Sequence, residues 1–195
     1  MIIAIGREFG SGGHIVAQKV AEHYNIPLYN KQLLSEVAKD GKYSEEILER
    51  FDEKPMNIAF IPAPIGENSV SIEQGVAISQ FNFLRKKANV EKESFVVVGR
   101  CAEDILEDNP NMISVFILGK KECKMKRVME REGINEKQAL SKMKKIDKMR
   151  KTYHNFYCEN KWGDSRSYDL CINTSKVGID EAAELIIHYI DSMNP

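Results

Sequence analysis

Met1-Ile2-Ile3-Ala4-Ile5-Gly6-Arg7-Glu8-Phe9-Gly10-Ser11-Gly12-Gly13-His14-Ile15-Val16 opens the chain and decides how the rest of it is read. Met1 to Ile5 is a short apolar run, the pattern of a strand buried on both faces. Gly10-Ser11-Gly12-Gly13 then interrupts it. No helix or strand interior favours such a stretch, because glycine there costs roughly 0.5–1 kcal/mol relative to alanine. Ile15, Val16, Ala17, Val20 and Ala21 recur at helical spacing, with Gln18, Lys19 and Glu22 on the polar side. Strand, glycine loop, helix is the layout of a phosphate-binding turn, where successive backbone N–H groups and a helix N-terminus converge on an anion. Gly10, Ser11, Gly12, Gly13, His14 and Ile15 are therefore the candidate contacts for such an anion. A βα turn that only packs helix against strand is the alternative reading of the same residues.

The turn departs from the pattern G-x-x-x-x-G-K-[ST], whose lysine reaches the β- and γ-phosphates and whose hydroxyl meets Mg²⁺. With Gly12 as the last glycine, the lysine position holds Gly13 and the hydroxyl position holds His14. The amides of the cradle are present and its cation is missing. Arg7 and Lys19 are the nearest cations in sequence.

A chain of 195 residues suffices for one α/β core with a small inserted lobe. The net charge of −1 gives no global attraction to nucleic acid or an anionic membrane, so basic chemistry must be local. No apolar run approaches the ~20 residues that span a bilayer, and no signal peptide is expected. Cys101, Cys123, Cys158 and Cys171 lack the spacing of a zinc site or disulfide scaffold. His14, His23, His154 and His188 form no metal-ligand pattern, so no bound metal is assigned. The expectation is a cytoplasmic protein of one domain, residues 1–195, with its oligomeric state open.

Downstream, Leu28-Tyr29 reads as a short strand, Asn30 as the cap of a helix, and Ser44 as the cap of another. Pro55, Pro62, Pro64 and Gly66 break every period between Lys54 and Ser71. Helix returns from Ser71 to Asn89, with Ile72, Val76, Ile78, Phe81, Leu84 and Ala88 as its apolar face. Ser94 to Arg100 is a strand apolar on both faces. It places Arg100 at the carboxyl edge of the sheet, where open α/β folds bind ligands, unless it pairs with Glu103 or Asp104. Ile113 to Leu118 and Tyr168 to Thr174 are further strands, and a last amphipathic helix follows Gly178. Strands alternating with helices predict a doubly wound parallel sheet.

Positive charge concentrates in one place. Lys120 to Lys151 carries thirteen of the 28 basic side chains, in two helices broken at Gly133. A charged helix face is commonly just solvated, but a basic hairpin between sheet strands also suits a lid over phosphates. Arg127, Arg131 and Arg150 are the candidate catalytic arginines, since guanidinium groups hold phosphate oxygens bidentately and neutralise transferring charge.

Ala4-Ile5-Gly6-Arg7-Glu8-Phe9-Gly10-Ser11-Gly12-Gly13, Val98-Gly99-Arg100-Cys101-Ala102, Asp147-Lys148-Met149-Arg150 with Tyr153, Trp162-Gly163, and Tyr168 to Ser175 together resemble the cytidylate kinase-like family of bacterial proteins. The resemblance implies a three-layer P-loop sheet with helices on both faces. It also implies a helical monophosphate-binding lobe within residues 30–90 and a basic helical lid over residues 120–153. It implies an ATP- and Mg²⁺-dependent phosphotransferase, acting on a pyrimidine nucleoside monophosphate or other small phosphate acceptor. Gly10 to Gly13 match the triphosphate loop, Arg100 an arginine beside the pyrimidine nucleotide, and Arg127 and Arg131 the opening of the lid. Asp147 and Arg150 match the lid's far arm, so Arg100, Asp147 and Arg150 are the substrate-binding candidates. Cys101, Met143 and Gly13 stand where the family's kinases carry aspartate, arginine and lysine. The partner expected is a small-molecule nucleotide, with no membrane and no nucleic acid. The alternatives are a nucleotide-binding protein without turnover and, less favoured by the charge balance, a nucleic-acid contact through the hairpin.

Overall fold

The computed structural model describes residues 1–30, 32–39, 42–54 and 71–193; the proline-rich stretch 55–66 lies outside the described residues. Five strands, β1 (Ile2–Arg7), β2 (Leu28–Tyr29), β3 (Phe95–Val98), β4 (Met112–Leu118) and β5 (Leu170–Asn173), form one sheet. Its order is β2-β3-β1-β4-β5, and every pairing is parallel. The helices are α1 (Gly13–Tyr24), α2 (Gln32–Lys39), α3 (Glu45–Phe51), α4 (Ile72–Arg85), α5 (Ala102–Ile105), α6 (Lys121–Glu132), α7 (Glu136–Tyr157) and α8 (Thr174–Met193).

The alternation within β1 shows why both faces of that strand are apolar. Ile3 and Ile5 pack with Val16 and Val20 of α1 and Ala182, Ile186 and Ile190 of α8. Ile2 and Ala4 point the other way, onto Leu33 and Leu34 of α2, Leu48 of α3, and Val76 and Leu84 of α4. Helices on both faces are what a parallel sheet requires. The three-layer α/β architecture is thereby established.

The cap agrees with the sequence reading at Ser44, whose side chain accepts from the Ile47 N–H, and Asn135 forms a capping box with Gln138 at the start of α7. The expected apolar face of α4 needs correction. Val76, Phe81, Leu84 and Ala88 are buried, but Ile72 and Ile78 are 50% and 41% exposed, and Ala77, Gln80 and Phe83 are buried instead. The helix rests on two neighbours at once, β3 with α2 on one side and the Tyr153–Cys158 region on the other, so its buried face is wider than one stripe. Helix α7 runs one turn beyond the expected end at Tyr153, to Tyr157. The segment Thr174–Val177 turns before Gly178, whose φ of 87° breaks the line of α8.

The hairpin of α6 and α7 is held by Val128, Ala139 and Met143, with Met125, Met129, Ile134 and Phe9 packed against them. Its apolar seam thus ends on the glycine loop itself. That docking brings distant basic side chains to the first strand.

Candidate active site

The loop between β1 and α1 has left-handed glycines at Gly10, φ 81°, and Gly12, φ 88°, and the Gly12 carbonyl accepts from the Ile15 and Val16 N–H groups. Long-range contacts fasten it from below. Thr174 Oγ1 donates to the Ser11 carbonyl at 2.6 Å. Arg127 Nη1 donates to the carbonyls of Gly10 (3.4 Å) and Ser11 (3.2 Å) and to Thr174 Oγ1 (3.0 Å), and its Nη2 to the Thr174 carbonyl (3.2 Å). Asp147 Oδ1 accepts from the Phe9 N–H at 2.6 Å. Glu8 Oε2 accepts from the Gly119 N–H at 3.0 Å and from Lys124 Nζ at 2.8 Å. Three elements, α6, α7 and the start of α8, therefore fix one short loop.

Phe9 roofs the site. The guanidinium of Arg131 lies 4.9 Å from its ring centre, that of Arg150 5.8 Å, and Lys142 Nζ 6.0 Å. An aromatic face attracts such cations by its quadrupole.

Beside the loop, β3 ends in three consecutive left-handed residues, Gly99 (φ 77°), Arg100 (φ 57°) and Cys101 (φ 55°). Non-glycine residues there cost roughly 1–2 kcal/mol each. The side chain of Arg100 offsets this with a dense set of bonds. Its Nη1 donates to the Val98 carbonyl at 2.7 Å, and Nε and Nη2 grip Asp52 at 3.2 and 2.6 Å. Neither Glu103 nor Asp104 is the partner that sequence proximity suggests. Arg7 clamps Glu53 in the same way, Nη1 to Oε1 and Nη2 to Oε2 at 2.8 Å each. Glu53 also accepts from the Arg100 N–H at 3.2 Å and lies 3.8 Å from Arg150 Nε. Burial opposes the Glu53 charge, but Arg7 and Arg100 outweigh it and hold this carboxyl well below the usual range. Burial, and then Arg7, push Arg150 down to about 10, which leaves it charged at neutral pH. Burial, then Arg7, Arg100 and Arg131, hold the His14 imidazole below its ordinary value.

Loop and cluster share one cavity of about 410 Å³, lined by Gly10, Gly12, Gly13, His14, Ile15, Arg7, Arg100, Arg131, Arg150, Asp52 and Glu53 among others. It lies at the carboxyl ends of β1 and β3, the crevice where open α/β sheets bind ligands.

Comparison with known proteins places this geometry. A model of the cytidylate kinase-like family matches residues 2–176. This chain belongs to that family. The cytidylate kinase of Pyrococcus horikoshii is 25% identical over 198 residues, spanning 100% of this chain and 91% of that protein. The crystal structure of an uncharacterized protein from Eubacterium ventriosum superposes with a TM-score of 0.79 at 62% identity, covering 98% and 99% of the two chains. Shikimate kinase from Bacteroides thetaiotaomicron, 12% identical with a TM-score of 0.55 and 98% of each chain covered, shares the fold.

Of the residues singled out by sequence in this cytidylate kinase-like protein, Gly10, Gly12, Gly13, His14, Ile15, Arg100, Arg131 and Arg150 line the cavity. Ser11 is fully buried behind it, with Oγ donating to the Glu8 carbonyl at 2.8 Å. Arg127 lies beneath the loop, and Asp147 meets the loop through the Phe9 amide and lies 3.7 Å from Lys124 Nζ. Asp52, Glu53 and Lys124 escaped the sequence reading. Asp52-Glu53 has the look of a solvated acidic turn after α3, and Lys124 is one lysine among many, so nothing local marks them.

A second buried network braces the site from behind. Glu103 Oε1 accepts from Tyr168 Oη at 2.8 Å and lies 2.9 Å from His154 Nε2. Burial works against a charge on His154, but Cys158 and Glu103 outweigh it and push its pKa up to about 10, from an ordinary 6.5. A group raised on folding contributes stability that is complete below its unfolded pKa and disappears as pH rises through its folded one. The stability difference between wild type and His154→Gln is therefore expected to be largest below pH 6.5 and to shrink toward pH 10. Urea midpoints across that range check it, and a difference independent of pH refutes it.

Proposed function

We propose that this chain transfers the γ-phosphate of ATP to a pyrimidine nucleoside monophosphate or a similarly small phosphate acceptor. One observation carries the reading: the glycine loop and four arginines, Arg7, Arg100, Arg131 and Arg150, line a single cavity at the ends of β1 and β3. Phosphoryl transfer needs positioning and charge neutralisation more than covalent participation by the protein, and amides with guanidiniums supply both. The name of the Pyrococcus relative, a cytidylate kinase, directs the choice of acceptor toward CMP.

In this reading Gly10 to Ile15 hold the donor phosphates, with Arg131 and Arg150 closing on them from the hairpin of residues 120–153. Arg127 and Asp147 act as positioning residues that set the height of the loop. Arg100 faces the acceptor, whose phosphate competes with Asp52 for the guanidinium. Mg²⁺ is a hard cation that keeps several waters and binds readily through substrate phosphates. The carboxylates Glu8 and Glu53 are already engaged by cations, and among the described residues no cluster of three metal-binding side chains occurs. Mg²⁺ thus enters with ATP, as part of the substrate.

The test is ADP formation from MgATP in the presence of CMP, dCMP, UMP or AMP in turn. A rate with CMP at least tenfold above the acceptor-free rate is expected. Failure of every monophosphate to raise ADP formation overturns the proposal. Gly13 at the lysine position favours a second reading, nucleotide binding without turnover, which expects the same thermal shift with ATP in EDTA as in Mg²⁺.

A further inference from the structure

Counting back from Gly12 along G-x-x-x-x-G-K-[ST], the first glycine of the pattern falls on Arg7 and the lysine on Gly13. Both special positions are altered, and in opposite senses: the glycine has become a cation and the cation a glycine. The structure shows that the two positions are one steric site. A Cβ added to Gly13 would stand 2.7 Å from Arg7 Cβ and 3.3 Å from Arg7 Cγ, with Ile117 Cβ closing the far side at 3.3 Å. Contacts under 3.0 Å between such atoms force something to move, and here the obstacles belong to the sheet, at the end of β1 and within β4. A side chain fits at position 7 or at position 13, but not at both.

We propose that Arg7 is the loop's transplanted cation, a catalytic residue reaching from the end of β1 the phosphoryl group that a lysine at position 13 would reach from the start of α1. Arg7 lines the same cavity as Gly10, Gly12 and Gly13. It is threaded across the glycine at the end of β3, since a Cβ on Gly99 would meet Arg7 Nη1 at 2.1 Å. That path puts the charge between the donor loop and the acceptor side of the crevice. Glu53 fixes the fork end-on, taking one N–H from each terminal nitrogen. Each of those nitrogens carries a second N–H for phosphate oxygens.

The inference rests on the phosphotransferase reading above. In the transfer, the bond from the γ-phosphorus to the β-phosphate oxygen breaks and its electron pair stays with departing ADP. An unprotonated oxygen of the acceptor phosphate forms the new bond to phosphorus, so no proton has to move. Arg7 neutralises the charge shared between the two oxygens. Arg100 is less free to do so, with Nε, Nη1 and Nη2 all engaged and 3% exposure.

The experiment is a reciprocal exchange. Arg7→Gly is expected to lower kcat by roughly 10²–10³-fold, the loss usual for one preorganised charge contact. Gly13→Lys alone is expected to lose activity as well, because the new side chain collides with Arg7. The double variant Arg7→Gly with Gly13→Lys is expected to recover at least tenfold over Arg7→Gly. A merely structural Arg7 would not be rescued by lysine at position 13. Equal kcat in Arg7→Gly and wild type, or no recovery in a double variant of unchanged Tm, overturns the proposal. Removing Arg7 takes two hydrogen bonds from the Glu53 carboxylate, so the series is repeated in a Glu53→Gln background, which separates misfolding from loss of the cation. If the wild-type chain turns over no acceptor, the functional reading falls, and Arg7 is judged by MgATP affinity in that background. A tenfold or greater weakening on Arg7→Gly with recovery on Gly13→Lys supports it, and equal affinities overturn it.

Discussion

Arg100→Gln is expected to lower the unfolding free energy by about 3–5 kcal/mol, the range found when one partner is removed from a buried ion pair. Arg100 is 3% exposed and spends its guanidinium on both oxygens of Asp52 and on the Val98 carbonyl. Burial raises the Asp52 pKa, and Arg100 is the main counterweight to that shift. Without that counterweight a buried carboxylate must take up a proton or draw in water, and the Val98 carbonyl loses its donor. The left-handed backbone at Arg100 and Cys101 also loses the bonds that hold it. The double variant Asp52→Asn with Arg100→Gln is expected to recover more than half of the loss, because it removes the stranded charge. Urea titrations of the two single variants and the double measure this coupling directly. A loss below 1 kcal/mol for Arg100→Gln, or a double variant no more stable than the single, refutes the account.

Gly10→Ala is the other large effect, expected at about 2–4 kcal/mol from two additive causes. The first is conformational, since φ is 81° at this residue. The second is steric. The new methyl would stand 2.8 Å from Val128 Cγ2 and 2.9 Å from the Lys124 carbonyl oxygen, and neither the first turns of α6 nor the packed seam beneath them can yield. For a chain of this size the melting temperature should fall by roughly 5–15 °C. The loop should also lift from Arg127 and Asp147, abolishing the thermal shift given by MgATP. Gly133→Ala is the control: its φ is 64°, but nothing lies within 4 Å of the added Cβ, so only the conformational cause operates. Equal losses for the two variants would show that the loop is not pressed against the hairpin.

Local readings succeeded wherever one element alone determines the outcome. The apolar run at Ile2–Ile5 became the central strand, the glycines at 10 and 12 became the left-handed turn, and Ser44 became a cap. Each depends on neighbours within one or two helical turns. Arg100 lines the crevice, because the carboxyl end of a parallel strand fixes where its successor lies. Its partner could not be foreseen: Asp52 is 48 residues away, beyond α4 and outside any spacing rule. The same limit applies to Asp147, which lies 138 residues from the Phe9 amide it accepts from, and to Arg127, which points under the loop.

The sequence by itself determined a parallel α/β sheet with a glycine loop after its first strand, since periodicity and glycine placement act through short-range sterics and burial. It also determined that the usual lysine is absent. Only the tertiary structure decided which cations gather at that loop. Docking the α6–α7 hairpin on Phe9 brings in Arg131 and Arg150, and the packing of α3 against α2 and α4 brings in, at its end, the acids that orient Arg7 and Arg100. The exchange of side chains between positions 7 and 13 belongs to both levels. Its two residues can be read in sequence, but their competition for one volume exists only once strand and helix are packed together.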